Sequence, residues 1–198
     1  MRRGPSCPVC GGFFEGEAGP HACGLCAVAP PPFSRHRSAG RYGGALKDAL
    51  LLLKYRKARP LGSVLGRMTY DALRKDEEFW LGIDLVVPVP LHKRRRRERG
   101  FNQAAEIGRE IGRRAGLAVA VDGLRKIRNT PPQTSLDRRE RTDNVRGAYA
   151  LGRKTSVSGK VILLVDDVYT TGSTLGECAR ILRKEGAADV RGLTVAQA

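Results

Sequence analysis

No stretch of this 198-residue sequence approaches the ~20 apolar residues that a membrane-spanning helix needs. Its first residues, MRRGPSCPVC, also lack the apolar core of a secretory signal, so the default expectation is a cytoplasmic protein with no membrane span. No G-x-x-x-x-G-K-S/T occurs, which disfavours a Walker-type nucleotide site, and no H-E-x-x-H marks a metalloprotease. There is no internal repeat. Acidic residues are scarce, 20 Asp+Glu against 36 Lys+Arg, and the resulting formal charge of +16 draws in anions such as nucleic acid or pyrophosphate. The alternative for part of that excess is compositional: richness in Arg, Ala and Gly over Lys is what a GC-rich coding genome produces. Aromatics are missing from the most basic segment, Leu91 to Gly100, until Phe101, and without interleaved rings that segment is poorly suited to stacking bases.

What is present centres on Val161 to Thr174, VILLVDDVYTTGST. Val161 to Val165 are too continuously apolar for a half-exposed strand and read as a central parallel strand covered on both faces. Ligands in such sheets bind beyond the carboxyl ends of the strands. There the Asp166 and Asp167 carboxylates can accept hydrogen bonds from sugar hydroxyls or hold a hydrated Mg2+. Thr170, Thr171, Gly172, Ser173 and Thr174 offer backbone N–H groups and hydroxyls to a phosphate, and the helix that follows, to about Lys184, points its positive end at it. A buried strand with an ordinary helix cap at Thr171 or Ser173 is the plainer alternative.

The first 27 residues form a cysteine-rich head in which Cys7-Pro-Val-Cys10 and Cys23-Gly-Leu-Cys26 are separated by 12 residues. This is zinc-ribbon spacing: each C-x2-C turn offers two thiolates, and two turns complete a tetrahedral site. The head is too poor in apolar residues to fold unaided, so the metal would supply the folding free energy. Disulfides are the alternative. His21 is a substitute ligand at most. Residues 28–44, with three consecutive prolines and several glycines, read as a linker, and 45–198 as the main domain. Helical spacing appears in Ala45, Leu46, Ala49, Leu50 and Leu53 and again in Leu61, Val64, Leu65, Met68 and Leu73. A strand is expected over 84–90, a helix from about Asn102, a mobile or ligand-ordered loop over 128–144, and a last strand over 189–195. Strands alternating with helices argue for an α/β fold with a mostly parallel sheet and helices on both faces.

The acidic pair, three variable residues and Thr-Gly-Ser-Thr resemble the motif with which type I phosphoribosyltransferases bind phosphoribosyl pyrophosphate (PRPP). Together with the CxxC turns, Leu53-Lys54-Tyr55, Val87-Pro88-Val89-Pro90, Arg99-Gly100-Phe101-Asn102-Gln103 and Gln133 with Arg141 and Asn144, they make the whole chain resemble the ComF family of competence-associated proteins. That resemblance implies a type I phosphoribosyltransferase fold behind a four-cysteine zinc-ribbon head. It also implies ribose hydroxyls on Asp166 and Asp167, a 5'-phosphate on Thr170 to Thr174, Mg2+ on the diphosphate, structural Zn2+, and phosphoribosyl transfer to a nitrogen acceptor. In some relatives it implies a role in taking up single-stranded DNA, with that DNA or a helicase as partner. Lys54, Arg99, Asn102, Gln103, Arg128, Gln133 and Arg141 are the pyrophosphate or loop candidates. Lys54 reads equally as a solvated helix-end lysine, and the arginine loop as a solvated basic face. No general base is evident. The same fold could also serve as a non-catalytic PRPP sensor or DNA-uptake accessory. Cys178 reads as a small core residue.

Overall fold

The computed structural model describes residues 6–14, 19, 21–130 and 138–198, apart from the side chains of 138, 139, 141 and 142. At its centre is β6 (Val161–Tyr169), flanked by β7 (Asp189–Gln197) and β2 (Leu85–Pro88); β1 (Arg35–Arg41) and β3 (Ala118–Val119) form the edges of a five-stranded sheet ordered β1-β7-β6-β2-β3. Every pair in it is parallel. Period-two alternation along β6 explains its continuous apolar run. Ile162 and Leu164 join one core with Leu175, Cys178 and Leu182 of α8 (Ser173–Lys184). Leu163 and Val165 join another with residues of α2 (Gly44–Tyr55), α3 (Pro60–Leu73) and α6 (Gln103–Ala115). The fold is thus a parallel sheet with helices on both faces, as the alternation of elements predicts.

Three local differences from the sequence reading matter for the site. First, residues 28–44 are not wholly a linker, because Arg35 to Arg41 pair in register with Arg191 to Gln197 as strand β1. Its residues, RHRSAGR, carry no apolar alternation, because its pairing is satisfied by β7 and its buried His36 faces polar partners. Second, the basic run is helix α5 (Lys93–Arg99), not a loop, capped by His92 and closed by left-handed Gly100 at φ 87°. No residue of α5 is buried, so no apolar face betrays it; an Arg94–Glu98 pair at 3.1 Å supports it instead. Third, the polar stretch contains α7 (Arg138–Val145), in the connection between the two strands of the antiparallel ribbon, β4 (Leu124–Lys126) and β5 (Tyr149–Leu151).

Helix α3 also packs differently from its apolar pattern. Val64 and Met68 are exposed, and Gly62, Leu65, Gly66, Thr69 and Leu73 form the buried stripe. The small residues are needed because α6 lies close: a Cβ at Gly66 would stand 2.8 Å from the Ile107 carbonyl. Two short helices, α1 (Gly24–Val28) in the head and α4 (Glu77–Trp80) before β2, complete the chain. Among the described residues no helix is long and apolar enough to cross a membrane.

Candidate functional site

Strand β6 carries Asp166 and Asp167 to the carboxyl end of the sheet, and the chain turns there into α8. The turn depends on Gly172, which caps α8 at φ 78° and ψ 0°, a left-handed conformation that costs other residues about 1–2 kcal/mol. Around it, Thr171 Oγ1 lies 2.8 Å from Ser173 Oγ and accepts the Ser173 N–H at 3.4 Å. Gly176 N–H donates to the Gly172 carbonyl at 2.7 Å and starts the helix. The positive end of the α8 dipole faces the loop, and with no acidic residue in the first turn no side-chain charge of the helix offsets it there. Thr174 shares a hydrogen bond with Tyr149 of β5, whose phenol is pushed upward chiefly by burial.

The two aspartates are in different situations. Asp167 is buried, and Lys54 Nζ at the end of α2 stands 3.0 Å from its Oδ2. Burial works against the Lys54 charge, but the Asp167 carboxylate overrides it and the net shift is upward. Asp166 Oδ1 accepts the Asp167 backbone N–H at 2.8 Å. Its own burial, then the neighbouring Asp167 charge, push Asp166 up to about 7.

An acid whose folded-state pKa is raised holds its proton more tightly when folded. Its contribution to stability is present below the unfolded value near 3.8 and is lost as pH rises through about 7. The ligand-free protein should therefore lose stability across that window, on the order of 1 kcal/mol for each step of one in pH, and Asp166→Asn should flatten that slope in thermal melts. Parallel slopes for parent and variant would contradict this ionisation.

Of the other candidates, Arg99 comes to the same place. Its guanidinium lies 6.0 Å from the Tyr55 ring centroid and donates to Gln103 Oε1. Burial lowers its pKa, partly offset by the Asp167 charge. Asn102 is already engaged: its Oδ1 accepts Ala104 N–H at 3.1 Å as the cap of α6, and its Nδ2 donates to the Val89 carbonyl at 2.9 Å. That role anchors the start of α6 to the end of β2. Arg128 is exposed and donates to the Arg146 carbonyl at 2.8 Å. Gln133 and the side chain of Arg141 lie outside the described residues. Sequence reasoning passed over Tyr169, although it sits among the three variable residues of the motif, and its hydroxyl lies 2.4 Å from where a Gly172 Cβ would stand.

The head presents a second site. The sulfur atoms of Cys7, Cys10, Cys23 and Cys26 all lie within 4.8 Å of one another. Cys10 and Cys23 sulfurs are 3.7 Å apart, far beyond a disulfide bond. Ligands of one tetrahedral ion with metal–sulfur bonds of about 2.3 Å would be about 3.8 Å apart, so the four could hold a metal ion. Burial opposes ionisation of Cys7, but the backbone N–H groups of Cys23, Cys10 and Val9 outweigh it and bring that thiol down to about 7. Cys10 is pushed up to about 11 by burial. His21 is not drawn in; it stacks on Phe14 at 4.3 Å and contacts the Gly19 carbonyl.

The head is fastened to the sheet through His36, which is fully buried. Its backbone N–H donates to the Val9 carbonyl at 2.6 Å. Its Nδ1 donates to the Cys10 carbonyl at 2.8 Å, and its Nε2 lies 2.9 Å from the Thr194 hydroxyl, which is also within 3.1 Å of the Ala196 carbonyl. Burial lowers this imidazole to about 4, so it is neutral, and because a carbonyl can only accept, the proton is on Nδ1. The ring stacks on Tyr169 with centroids 4.2 Å apart.

The model of the phosphoribosyl transferase domain matches residues 72–198. The DNA utilization protein YhgH of Escherichia coli is 32% identical over 187 residues, covering 93% of this chain and 81% of that protein. The chain belongs to the ComF family of phosphoribosyltransferase-domain proteins. Within this ComF-family chain, the matched domain contains the aspartates, Thr170 to Thr174 and Arg99, whereas Lys54 and the four-cysteine head precede it. Competence protein F of Haemophilus influenzae is 28% identical over 191 residues, with 94% of this chain and 82% of that protein covered. For competence protein ComFC of Bacillus subtilis the identity is 29%, and the shares are 81% and 63%.

Proposed function

We propose that this chain binds PRPP with Mg2+ and transfers its phosphoribosyl group to a nitrogen acceptor, releasing pyrophosphate. The observation that carries the reading is the convergence of Lys54 on the carboxylates of β6, directly before the Gly172 turn and the N-terminus of α8. Asp166 and Asp167 would accept the ribose hydroxyls, and Thr170 to Thr174 would hold the 5'-phosphate. Bound Mg2+ would supply charge neutralisation at the diphosphate. Lys54, Arg99 and Lys126 are cations that act on the same carboxylates, and the first two would stabilise the departing pyrophosphate as negative charge develops on it. In the ligand-free state Lys54 occupies Asp167, so binding exchanges that ion pair for new ones. The head is assigned structural zinc, since four thiolates in a closed tetrahedral shell suit that ion.

Calorimetry with PRPP and Mg2+ tests the site. Asp166→Asn together with Asp167→Asn is expected to abolish measurable binding while leaving the fold intact, because amides keep the shape and lose the charge. Binding as tight as that of the parent would remove the aspartates from the site. Release of pyrophosphate in the presence of candidate amines separates a transferase from a binding protein. The binding-only reading has one argument of its own: the relatives carry names of DNA utilization and competence, so a DNA-uptake accessory that senses PRPP, with single-stranded DNA or a helicase as partner, is the second proposal.

A further inference from the structure

We propose that a cavity between α5, α6 and the β4–β5 ribbon is a nucleotide site, separate from the PRPP loop. The cavity has a volume of about 740 Å3, within the range of small-molecule sites. It opens beyond the end of β2, where open parallel sheets bind ligands. Its lining is divided by chemistry. Leu91, Phe101, Ala105, Leu124 and Ile127 provide an apolar surface, and Lys93, Arg96, Arg125 and Lys126 bring positive charge.

The charge in this cavity is not already spent internally. Glu106 is neutralised by Arg59 at 3.2 Å and Arg109 at 2.6 Å. Lys93 and Arg96 are exposed and have no acidic partner among the described residues. Their positive rim continues into a second hollow lined by Lys93, Arg96, Arg97 and Gly100. One carboxylate, Asp122, also lines the cavity without a salt-bridge partner among the described residues. A bare polyanion would meet repulsion there. A ligand with a phosphate at one end and a flat amino-bearing ring at the other satisfies the cations, the apolar surface and Asp122 together. Lys126 links the cavity to the first site, since its ammonium lies 5.4 Å from the Tyr149 ring centroid and Tyr149 bonds Thr174. The residues that would bind the nucleotide are otherwise distinct from those proposed for PRPP, so the two readings stand or fall separately.

The test is titration of the full, metal-loaded chain with AMP, inorganic phosphate and a short single-stranded oligonucleotide. Two variants accompany the parent: Arg96→Ala with Arg125→Ala, and Thr171→Ala with Ser173→Ala. AMP is expected to bind more tightly than phosphate. Its affinity should fall about tenfold or more in the arginine variant, as loss of charge-assisted contacts does, and should persist in the threonine–serine variant. If the oligonucleotide binds through the same arginines more tightly than AMP, the site takes a nucleotide within a strand; if more weakly, a free mononucleotide. The proposal is overturned if AMP binding survives the arginine substitutions. It is equally overturned if AMP binding is lost only with Thr171 and Ser173, which would place it in the PRPP loop, or if phosphate binds as well as AMP.

Discussion

Stripping the metal from the four-cysteine head is expected to weaken PRPP binding at the far end of β6 by at least about tenfold, ~1.4 kcal/mol. The four cysteines are not among the residues proposed to hold the ligand, so the effect must travel, and the structure supplies a short physical route. Cys10 holds His36 through its carbonyl, His36 stacks on Tyr169, and the Tyr169 hydroxyl abuts Gly172, the residue that shapes the loop proposed to hold the 5'-phosphate. Gln197 Nε2 also donates to the Cys10 carbonyl at 3.4 Å and ties the head to β7. Cys7, Cys10 and Cys26 belong to an apolar core of the main domain, with Val9 and Phe14 packed against it. The two turns of the head are nevertheless joined through the sulfur cluster, so loss of the metal should loosen the head's seat on β1 and leave His36 with an unsatisfied buried N–H, a cost of about 1–3 kcal/mol. Tyr169 then loses a wall of its packing.

Three measurements check this. PRPP titration of metal-loaded and chelated protein reads the affinity, circular dichroism reads whether the sheet survives, and hydrogen exchange over residues 170–174 reads loop order. Tyr169→Leu, in the metal-loaded protein, should reproduce the loss without touching the cysteines. A chelated protein that keeps its sheet and binds PRPP as tightly as before would show that the head and the loop are independent.

That route was invisible in the sequence, whereas both of its ends were plain. The CxxC turns and the VILLVDD run each depend on residues close together in the chain, where spacing alone carries the geometry. His36 lies in a polar, proline-flanked stretch, and its role comes from partners at Cys10 and Thr194, on opposite sides of it in sequence and brought together only by the parallel pairing of β1 with β7. Helix α5 escaped for a different reason. Helical periodicity is read from a buried apolar face, and a helix with no buried residue has none to show. Asn102 illustrates a third limit. Its place after a strand and before a helix suggested a ligand contact, but a short polar side chain at that junction is also what a helix cap requires, and its Oδ1 is occupied that way while its Nδ2 is tied to the Val89 carbonyl. Lys54 went the other way. A lysine at a helix end is usually only solvated, and nothing local announced that the end of α2 would meet Asp167 from a strand more than a hundred residues later.

Gly172→Ala is expected to cripple PRPP binding through a single added methyl group. Two costs combine at this position. The backbone sits at φ 78°, where an L side chain is strained by about 1–2 kcal/mol, and the added Cβ would lie 2.4 Å from the Tyr169 hydroxyl and 2.7 Å from the ring carbon that bears it. Tyr169 cannot simply swing aside, because His36 stacks on one face and Phe33 meets it edge-on at 6.4 Å. The strain must therefore be relieved by moving the loop itself, which displaces the Thr171 and Ser173 hydroxyls and the first N–H groups of α8 from the place where a phosphate would sit. PRPP binding should fall by about a hundredfold or more, ~2.7 kcal/mol, while the stability lost in a urea melt should be about 2 kcal/mol. The double variant Gly172→Ala with Tyr169→Leu should recover part of the stability, because the clash is gone, but little of the affinity, because the left-handed strain remains. Full recovery of PRPP binding in the double variant would mean that the Tyr169 contact alone shapes the loop and that the backbone conformation of Gly172 contributes nothing to holding the phosphate.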